Sequence, residues 1–197
     1  MAASRDTLTR YREKRDPRRT PEPMENGRQG DRPRFVIQQH AASTMHYDFR
    51  LEVDGVLKSW AVPKGPSTDP RVKRLAIPTE DHPLAYADFE GVIPEGEYGA
   101  GTVLIWDRGH YRNLADHASI AEQLEEGHAT VWLEGEKLRG GYALIRTHLE
   151  QGEGWLLVKM EDEAADARRN PTSIEPESVV SGRSLEEITR EAGRDPT

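Results

Sequence analysis

Short runs of alternating apolar and polar residues occupy the chain from Arg34 to Met160. Each run has the length of a β-strand, and glycine or proline lies between most of them. One clear helical pattern covers residues 116–127, and weaker ones cover residues 6–15 and 184–193. This surplus of strands predicts a mainly β fold, a compact antiparallel β-barrel or closed sandwich of about eight strands with flanking helices, and we take the barrel. The predicted strands are RFVIQQH, HYDFRLEV, VLKSWAVP, RLAIPTE, GTVLIWDRG, ATVWLEG, YALIRTH and GWLLVKM.

Two hairpin turns are predicted from glycine positions. Asp54-Gly55 supplies the residue types that a tight two-residue turn with positive φ requires. The segment LRGGYAL, residues 138–144, has a similar pattern. Both turns join neighbouring antiparallel strands.

Composition divides the chain into three parts. Residues 1–33 form a basic arm predicted to contribute to the functional site, residues 34–161 form the barrel domain, and residues 162–197 form a polar, flexible tail or linker. The net charge is −8, yet residues 1–34 carry 10 lysines and arginines against 6 acidic residues. A basic arm on an acidic body can bind phosphates locally, although a merely disordered arm fits the same pattern.

Composition also excludes several classes of site. The chain has no cysteine, so disulfides, thiolate metal sites and a cysteine nucleophile are excluded. The apolar runs are too short to cross a bilayer, and the first residues lack the apolar stretch of a secretory signal. We therefore predict a cytoplasmic protein with no membrane partner.

The segment HAASTMHYDFRLE, residues 40–52, contains the chemistry of most interest. In an extended strand, residues 47, 49, 51 and 53 form an apolar core face, and residues 46, 48, 50 and 52 form the opposite face. His46 and Asp48 share that second face, and a five-residue loop must return His40 to it. Two imidazoles and a carboxylate suit Mn²⁺, Fe²⁺, Co²⁺ or Zn²⁺ and leave positions open. A solvated polar face is the alternative.

Further polar residues suggest a phosphoryl substrate. Arg50 extends the same face and can bind phosphate through two nitrogens. Arg74, Glu80 and His82 are an even number of positions apart in one predicted extended segment, so they are expected on the same face. Tyr86 follows just beyond this segment, and Lys64 lies beside a Gly-Pro turn. His82 is suited to general-acid chemistry, or to act as a cation if the Glu80 carboxylate raises its pKa. The pattern predicts metal-dependent phosphoester chemistry.

Two other functions fit parts of this pattern. A two-histidine, one-carboxylate set also serves iron oxygenases built on β-barrels, but there the second histidine usually follows the His-x-Asp pair. A non-catalytic barrel that binds nucleic-acid ends around a structural metal is the other alternative. Three evident ligands rather than four favour an open catalytic site.

Two long segments, FVIQQHAASTMHYDFRLEVDGVLKSWAVPKGPS and LAIPTEDHPLAYADFEGVIPEGEYGAGTVLIWDRG, closely resemble the 3′-phosphoesterase module of bacterial ATP-dependent DNA ligase D. The resemblance runs from about residue 34 to residue 160, and YREKRDPRRTPEP is similar to the family's opening segment. It implies a compact β-barrel and a manganese-dependent enzyme of end-joining repair. Such an enzyme removes a 3′-terminal ribonucleoside and then hydrolyses the remaining 3′-phosphate to a 3′-hydroxyl.

The resemblance also assigns roles by position. It implies metal ligands at His40, His46 and Asp48, and Mn²⁺ as cofactor, with Co²⁺ or Zn²⁺ as other possible ions. The implied catalytic residues are His82, Arg50, Glu80 and Tyr86. The implied substrate-binding residues are Lys64, Arg74, Gln38, Arg15, Asp16 and Glu22, the last three serving mainly ribonucleoside removal. The implied partners are primer–template DNA or DNA/RNA 3′ ends, with ligase and polymerase modules and Ku. A standalone protein and a part of a larger ligase both fit the sequence.

Overall fold

The computed structural model describes residues 6–193 and contains nine strands and four short α-helices. The strands are β1 (Arg34–Ala41), β2 (Met45–Val53), β3 (Val56–Val62), β4 (Lys73–His82), β5 (Gly91–Ile93), β6 (Gly101–Asn113), β7 (His128–Gly135), β8 (Arg139–Leu149) and β9 (Gly152–Lys159). The helices are α1 (Thr9–Glu13), α2 (Ile120–Glu126), α3 (Pro171–Ile174) and α4 (Leu185–Ala192). A 3-10 helix covers Leu84–Asp88.

Eight of the strands close into an antiparallel barrel. The order around the barrel is β1-β2-β3-β4-β9-β8-β7-β6, and β1 also pairs with β6 to complete the circle. The short β5 pairs with β6 and was not evident in the sequence. The predicted mainly β barrel is confirmed.

Alternation along each strand fills the interior. On β2, Tyr47, Phe49 and Leu51 point inward and join one large apolar cluster with Phe35 and Ile37 of β1. Directly paired residues share a face in an antiparallel sheet, and Phe35 lies opposite Leu51. The predicted core face of β2 is therefore confirmed.

A second apolar cluster lies outside the barrel wall. Tyr11 of α1 and Tyr86 of the 3-10 helix pack with Val36, Leu57 and other residues against the outer side of β1, β3 and β6. The arm and the 3-10 helix thus cover part of the barrel. As a result β2 is buried on both faces from Tyr47 onward.

The helices and one turn follow their local sequence. Ser119 and Glu122 form a capping box at the start of α2, and Gly127 ends it with a φ of 91°. Asp54 and Gly55 have φ values of 49° and 82°, which confirms the first predicted hairpin turn.

The second predicted turn is wrong. The residues Gly140 and Gly141 lie within β8, and the turn spans residues 136–138. A distant side chain explains the difference, because the Asp107 carboxylate accepts the backbone N–H groups of Glu136 and Leu138 at 2.9 and 2.8 Å.

After β9 the chain lies along the barrel. The indole Nε1 of Trp106 donates to the Glu175 carbonyl at 2.8 Å, and Ile188 of α4 is 3% exposed in the main core. Thr68 donates to the Asp166 carbonyl at 2.7 Å. The division into arm, barrel and tail stays a prediction. Within residues 6–193, no helix is both long and apolar enough to span a membrane.

Candidate active site

His40, His46 and Asp48 meet on the outer wall of the barrel. Strand pairing brings them together, because His40 of β1 lies directly opposite His46 of β2. One ligand atom from each lies within 4.8 Å of the others. His46 Nε2 is 3.1 Å from Asp48 Oδ1, and His40 Nδ1 is 3.5 Å from Asp48 Oδ2.

Backbone carbonyls fix the orientation of both imidazoles. His40 Nε2 donates to the Gly99 carbonyl at 2.6 Å, and His46 Nδ1 donates to the Thr44 carbonyl at 3.1 Å. A carbonyl oxygen only accepts, so each of these nitrogens carries a hydrogen, and the second nitrogen of each ring faces the Asp48 carboxylate. This second-sphere arrangement is typical of histidines that bind a metal, and the three donors suit a divalent transition ion.

The charges in this group depend on one another. Burial alone would raise the pKa of Asp48, but Arg50 and the two histidines hold it well below its ordinary value. Burial disfavours the charged form of His46, yet its hydrogen bond to Asp48 raises its pKa overall. Asp48 is therefore a carboxylate at neutral pH, as a metal ligand requires.

A buried guanidinium lies next to the carboxylate. Arg50 Nε donates to Gln38 Oε1 at 2.8 Å, and Gln38 Nε2 donates to the carbonyls of Tyr86 and Phe89 at 2.8 and 2.9 Å. Arg50 Nη2 is 3.5 Å from Asp48 Oδ2, and its guanidinium carbon is 4.8 Å from the Tyr86 ring centre. Gln38 thus fixes the position of Arg50 by linking it to the 3-10 helix segment.

His82 is held by a main-chain oxygen. Its Nδ1 donates to the Glu80 carbonyl at 2.9 Å, and its ring meets the edges of Tyr11 and Tyr86 at centroid distances of 5.0 and 4.7 Å. Burial, followed by the charges of Arg50 and Arg15, lowers the pKa of His82 well below its ordinary value. Nε2 is the ring nitrogen left for the pocket.

The Glu80 carboxylate does not orient His82 as the sequence suggested. It pairs with Lys14 Nζ at 3.2 Å and with Arg15 Nη1 at 3.5 Å. The side chain therefore ties the arm to β4, while only its backbone contacts the imidazole.

The arm forms one wall of the site. Glu22 is 3% exposed and accepts from Arg15 Nε at 3.1 Å and from the Tyr86 hydroxyl at 2.7 Å. Burial, then Glu22, raises the pKa of Tyr86 well above its ordinary value. Asp16 lies apart from this network and binds Arg18 at 3.1 Å.

Arg74 and Lys64 are not brought to this wall. Arg74 lies opposite Leu157 and shares the face of the buried Ala76, so it points to the inner side of the barrel. The expectation that Arg74 and His82 lie on the same face of the strand is wrong, because the pairing of β4 with β3 contains an irregularity. Lys64 is exposed beyond the end of β3.

Together these groups line a pocket of about 340 Å³. The sequence reasoning missed seven of its residues, namely Ala42, Ser43, Ala61, Thr79, Ile93, Tyr98 and Gly99. The glycine-rich segment PEGEYGAG was the signal for the last two, since such a segment lets the backbone approach a site closely.

Fold and site define a class of protein, a closed β-barrel whose outer wall carries a candidate metal centre beside a buried arginine and a buried histidine. Comparison with known families makes this specific, because residues 38–146 match the DNA Ligase D 3′-phosphoesterase domain. The chain belongs to this family.

The curated relatives are much longer proteins. The chain is 52% identical over 184 residues to the multifunctional non-homologous end joining protein LigD of Pseudomonas aeruginosa, which covers 90% of the chain and 22% of that protein. It is 51% identical over 160 residues to the LigD DNA repair protein of Mycobacterium tuberculosis, covering 80% of the chain and 20% of that protein. The chain thus spans about a fifth of their length.

Proposed function

We propose that the pocket hydrolyses phosphoesters at the 3′ ends of DNA or RNA strands, with Mn²⁺ as its metal ion. In this proposal it removes a 3′-terminal ribonucleoside and then a 3′-phosphate, leaving a 3′-hydroxyl. The main supporting observation is the convergence of His40 Nδ1, His46 Nε2 and the Asp48 carboxylate beside Arg50 in one pocket.

The donor set supports an open metal site. Two imidazole nitrogens and one carboxylate leave coordination positions for substrate, whereas a closed structural site would use four protein ligands. A bound divalent ion would supply a Lewis acid for a phosphate oxygen. Co²⁺ and Zn²⁺ suit the same donors and are the ions to compare with Mn²⁺.

Arg50 is the group we assign to the charge of the phosphate. Its side chain is 4% exposed and anchored by Gln38, so its position needs little reorganisation when substrate binds. Among residues 6–193, its Nη1 has no hydrogen-bond partner. A phosphate beside Arg50 would therefore meet a preorganised positive charge in a site of low dielectric constant.

His82 is the group we assign to proton transfer. Its Nδ1 is committed to the Glu80 carbonyl, which leaves Nε2 for the leaving oxygen of the ester. The negative charge of a bound phosphate favours the protonated ring, against the burial that otherwise keeps it neutral. His82 would then protonate the leaving oxygen or stabilise its charge.

The names of the relatives supply the proposed setting. They are non-homologous end joining proteins, so we propose that the substrates are primer–template ends at double-strand breaks in the cytoplasm. Ligase and polymerase modules and Ku are the proposed partners.

The test uses primer–templates that end in a 3′-phosphate or in one ribonucleotide. With Mn²⁺ we expect both ends to be converted to a 3′-hydroxyl, and with EDTA neither. His46→Ala should lose both Mn²⁺ binding by calorimetry and turnover, whereas His82→Ala should keep Mn²⁺ binding and lose turnover at least about 100-fold. Binding of the ends without any conversion would overturn the proposal in favour of an end-binding barrel, and activity only with iron and an oxoacid would favour an oxygenase.

A further inference from the structure

Tyr98 lies at the mouth of the pocket with 47% of its surface exposed. Among residues 6–193 the exposed large apolar side chains otherwise consist of aliphatic residues and methionine, so Tyr98 is the one aromatic ring in that group. An exposed ring at the edge of a polar pocket is suited to bind a flat ligand group.

The loop that carries Tyr98 is held in place. Glu97 N donates to the Pro94 carbonyl at 3.2 Å, and Ala100 N donates to the Glu97 carbonyl at 3.1 Å. Gly99 has a φ of 73° and its carbonyl accepts the hydrogen bond from His40. The same loop therefore orients a candidate metal ligand and presents the ring, so the distance between them is fixed before substrate binds.

Two cationic side chains lie close to the ring of Tyr98. Lys14 Nζ lies 4.6 Å from the ring centre and 3.3 Å from the hydroxyl, and the Arg15 guanidinium carbon lies 5.3 Å from the ring centre. The Arg15 side chain is 4% exposed, whereas 47% of Tyr98 is exposed, so part of the ring surface remains open to solvent. The Arg19 side chain is 71% exposed, and its Nη1 lies 3.7 Å from Oε1 of Glu97, the residue before Tyr98 in the chain.

We propose that Tyr98 stacks on the base of the nucleotide whose 3′ oxygen carries the scissile phosphate, with Lys14 and Arg19 beside that nucleotide's 5′ phosphate. This inference rests on the proposed function. An aromatic platform next to exposed cations is how proteins hold single strands without reading sequence. The product that leaves is a ribonucleoside or inorganic phosphate, and neither carries a further nucleotide phosphate. The cations beside the ring therefore fit the strand that is retained, because that strand has a phosphate on the 5′ side of its last nucleotide.

Binding without metal tests this inference separately from turnover. The probe is a labelled primer–template with a 3′-phosphate, carrying either a base or an abasic sugar at its last nucleotide, and Kd is measured by anisotropy in EDTA. In the wild-type chain, loss of that base should weaken binding about tenfold, the scale of one base–aromatic stack. In Tyr98→Ala the base should make no difference, because the ring it stacks on is gone.

Two further arms make the result specific. Tyr98→Phe keeps the ring and should restore the tenfold dependence on the base, and Leu149→Ala, at an exposed site on β8, should show the wild-type dependence. With Mn²⁺, the Tyr98→Ala defect should fall on KM rather than kcat. Equal base dependence in wild type and Tyr98→Ala, or dependence on a different nucleotide position, would overturn the inference. If the proposed function is wrong, the wild-type chain should show no turnover. The Kd values for probes with and without the base would still test whether Tyr98 stacks on it.

Discussion

At the scale of single residues, the three histidines of the pocket are oriented in the same way, by a hydrogen bond to the backbone. His40, His46 and His82 each donate one ring hydrogen to a backbone carbonyl, and each keeps its second nitrogen for the pocket. Carbonyl oxygens cannot reverse the direction of the hydrogen bond, so the tautomer of each ring is set by the fold. The site is therefore oriented before any metal or substrate arrives.

The lowered pKa of His82 makes the stability of the metal-free chain depend on pH. The folded state disfavours the protonated ring, so the unfolded state binds more protons as the pH falls below 6.5, the ordinary value, and stability is lost. His82→Gln keeps a donor for the Glu80 carbonyl and removes the titrating group. Between pH 7 and 5.5, we expect the wild-type chain to lose about 1 kcal/mol more unfolding free energy than His82→Gln.

Urea unfolding in EDTA at several pH values measures this difference. The raised pKa of His46 acts in the opposite direction and is common to both chains, so it cancels in the comparison. His148→Gln, at an exposed position of β8, is the matched control and should follow the wild type. Identical pH profiles for wild type and His82→Gln would contradict the burial argument.

At the scale of elements, local alternation predicted which residues share a face only where pairing is regular. The inward positions of β2 and the meeting of His40 with His46 were predictable, because one short loop joins two regular strands. The irregular pairing between β3 and β4 places Thr79 and His82 on the outer wall and leaves Arg74 on the inner one. A single inserted residue moves the side chain of every later residue in the strand to the opposite face, and nothing in the local sequence indicates such an insertion.

Residues that reach the site from distant segments were also beyond sequence patterns. Gly99 contacts His40 across 59 positions, and Glu22 contacts Tyr86 across 64. Such contacts depend on the closed barrel and on the arm folding over it, which alternation does not encode. Resemblance to the family assigned Glu22, whereas Tyr98 had no signal beyond its glycine-rich surroundings.

The turn between β7 and β8 depends on Asp107. This buried carboxylate accepts four backbone N–H groups, from Arg108, Glu136, Lys137 and Leu138. Asp107→Ala should leave those donors unsatisfied and lower the unfolding free energy by about 3 kcal/mol. Chemical unfolding measures the change, and Asp116→Ala in an exposed loop should stay within about 0.5 kcal/mol of wild type. An equally small effect for Asp107→Ala would mean that the turn forms without its acceptor.

At the scale of the whole molecule, the segment after β9 closes over one side of the barrel. Ile188 enters the main core, Trp106 donates to the Glu175 carbonyl, and the hydroxyls of Thr102 and Thr189 are 2.5 Å apart. These contacts join the polar tail to the barrel at several points, although the tail's composition predicts flexibility.

Shortening the chain after Glu161 separates these two views. The shortened chain should lose at least about 3 kcal/mol of unfolding free energy, because the burial of Ile188 and the hydrogen bonds of the tail are lost. The emission of Trp106 should also shift to longer wavelength as its indole meets water. Ile188→Ala in the full chain is the matched comparison and should reproduce part of the loss. Unchanged stability after shortening would show that the tail is a dispensable linker.

The pocket lies outside a barrel whose interior is filled with apolar side chains, so the same strands serve two purposes on opposite faces. Neighbouring positions on β2 are therefore subject to different selection, since inward substitutions change folding and outward ones change chemistry. A mutant library restricted to outward positions and to the loop at residues 94–100 would sample new substrate preferences while leaving the packing of the barrel intact. The architecture therefore lets the site on the barrel wall be redesigned separately from the core that holds the barrel together.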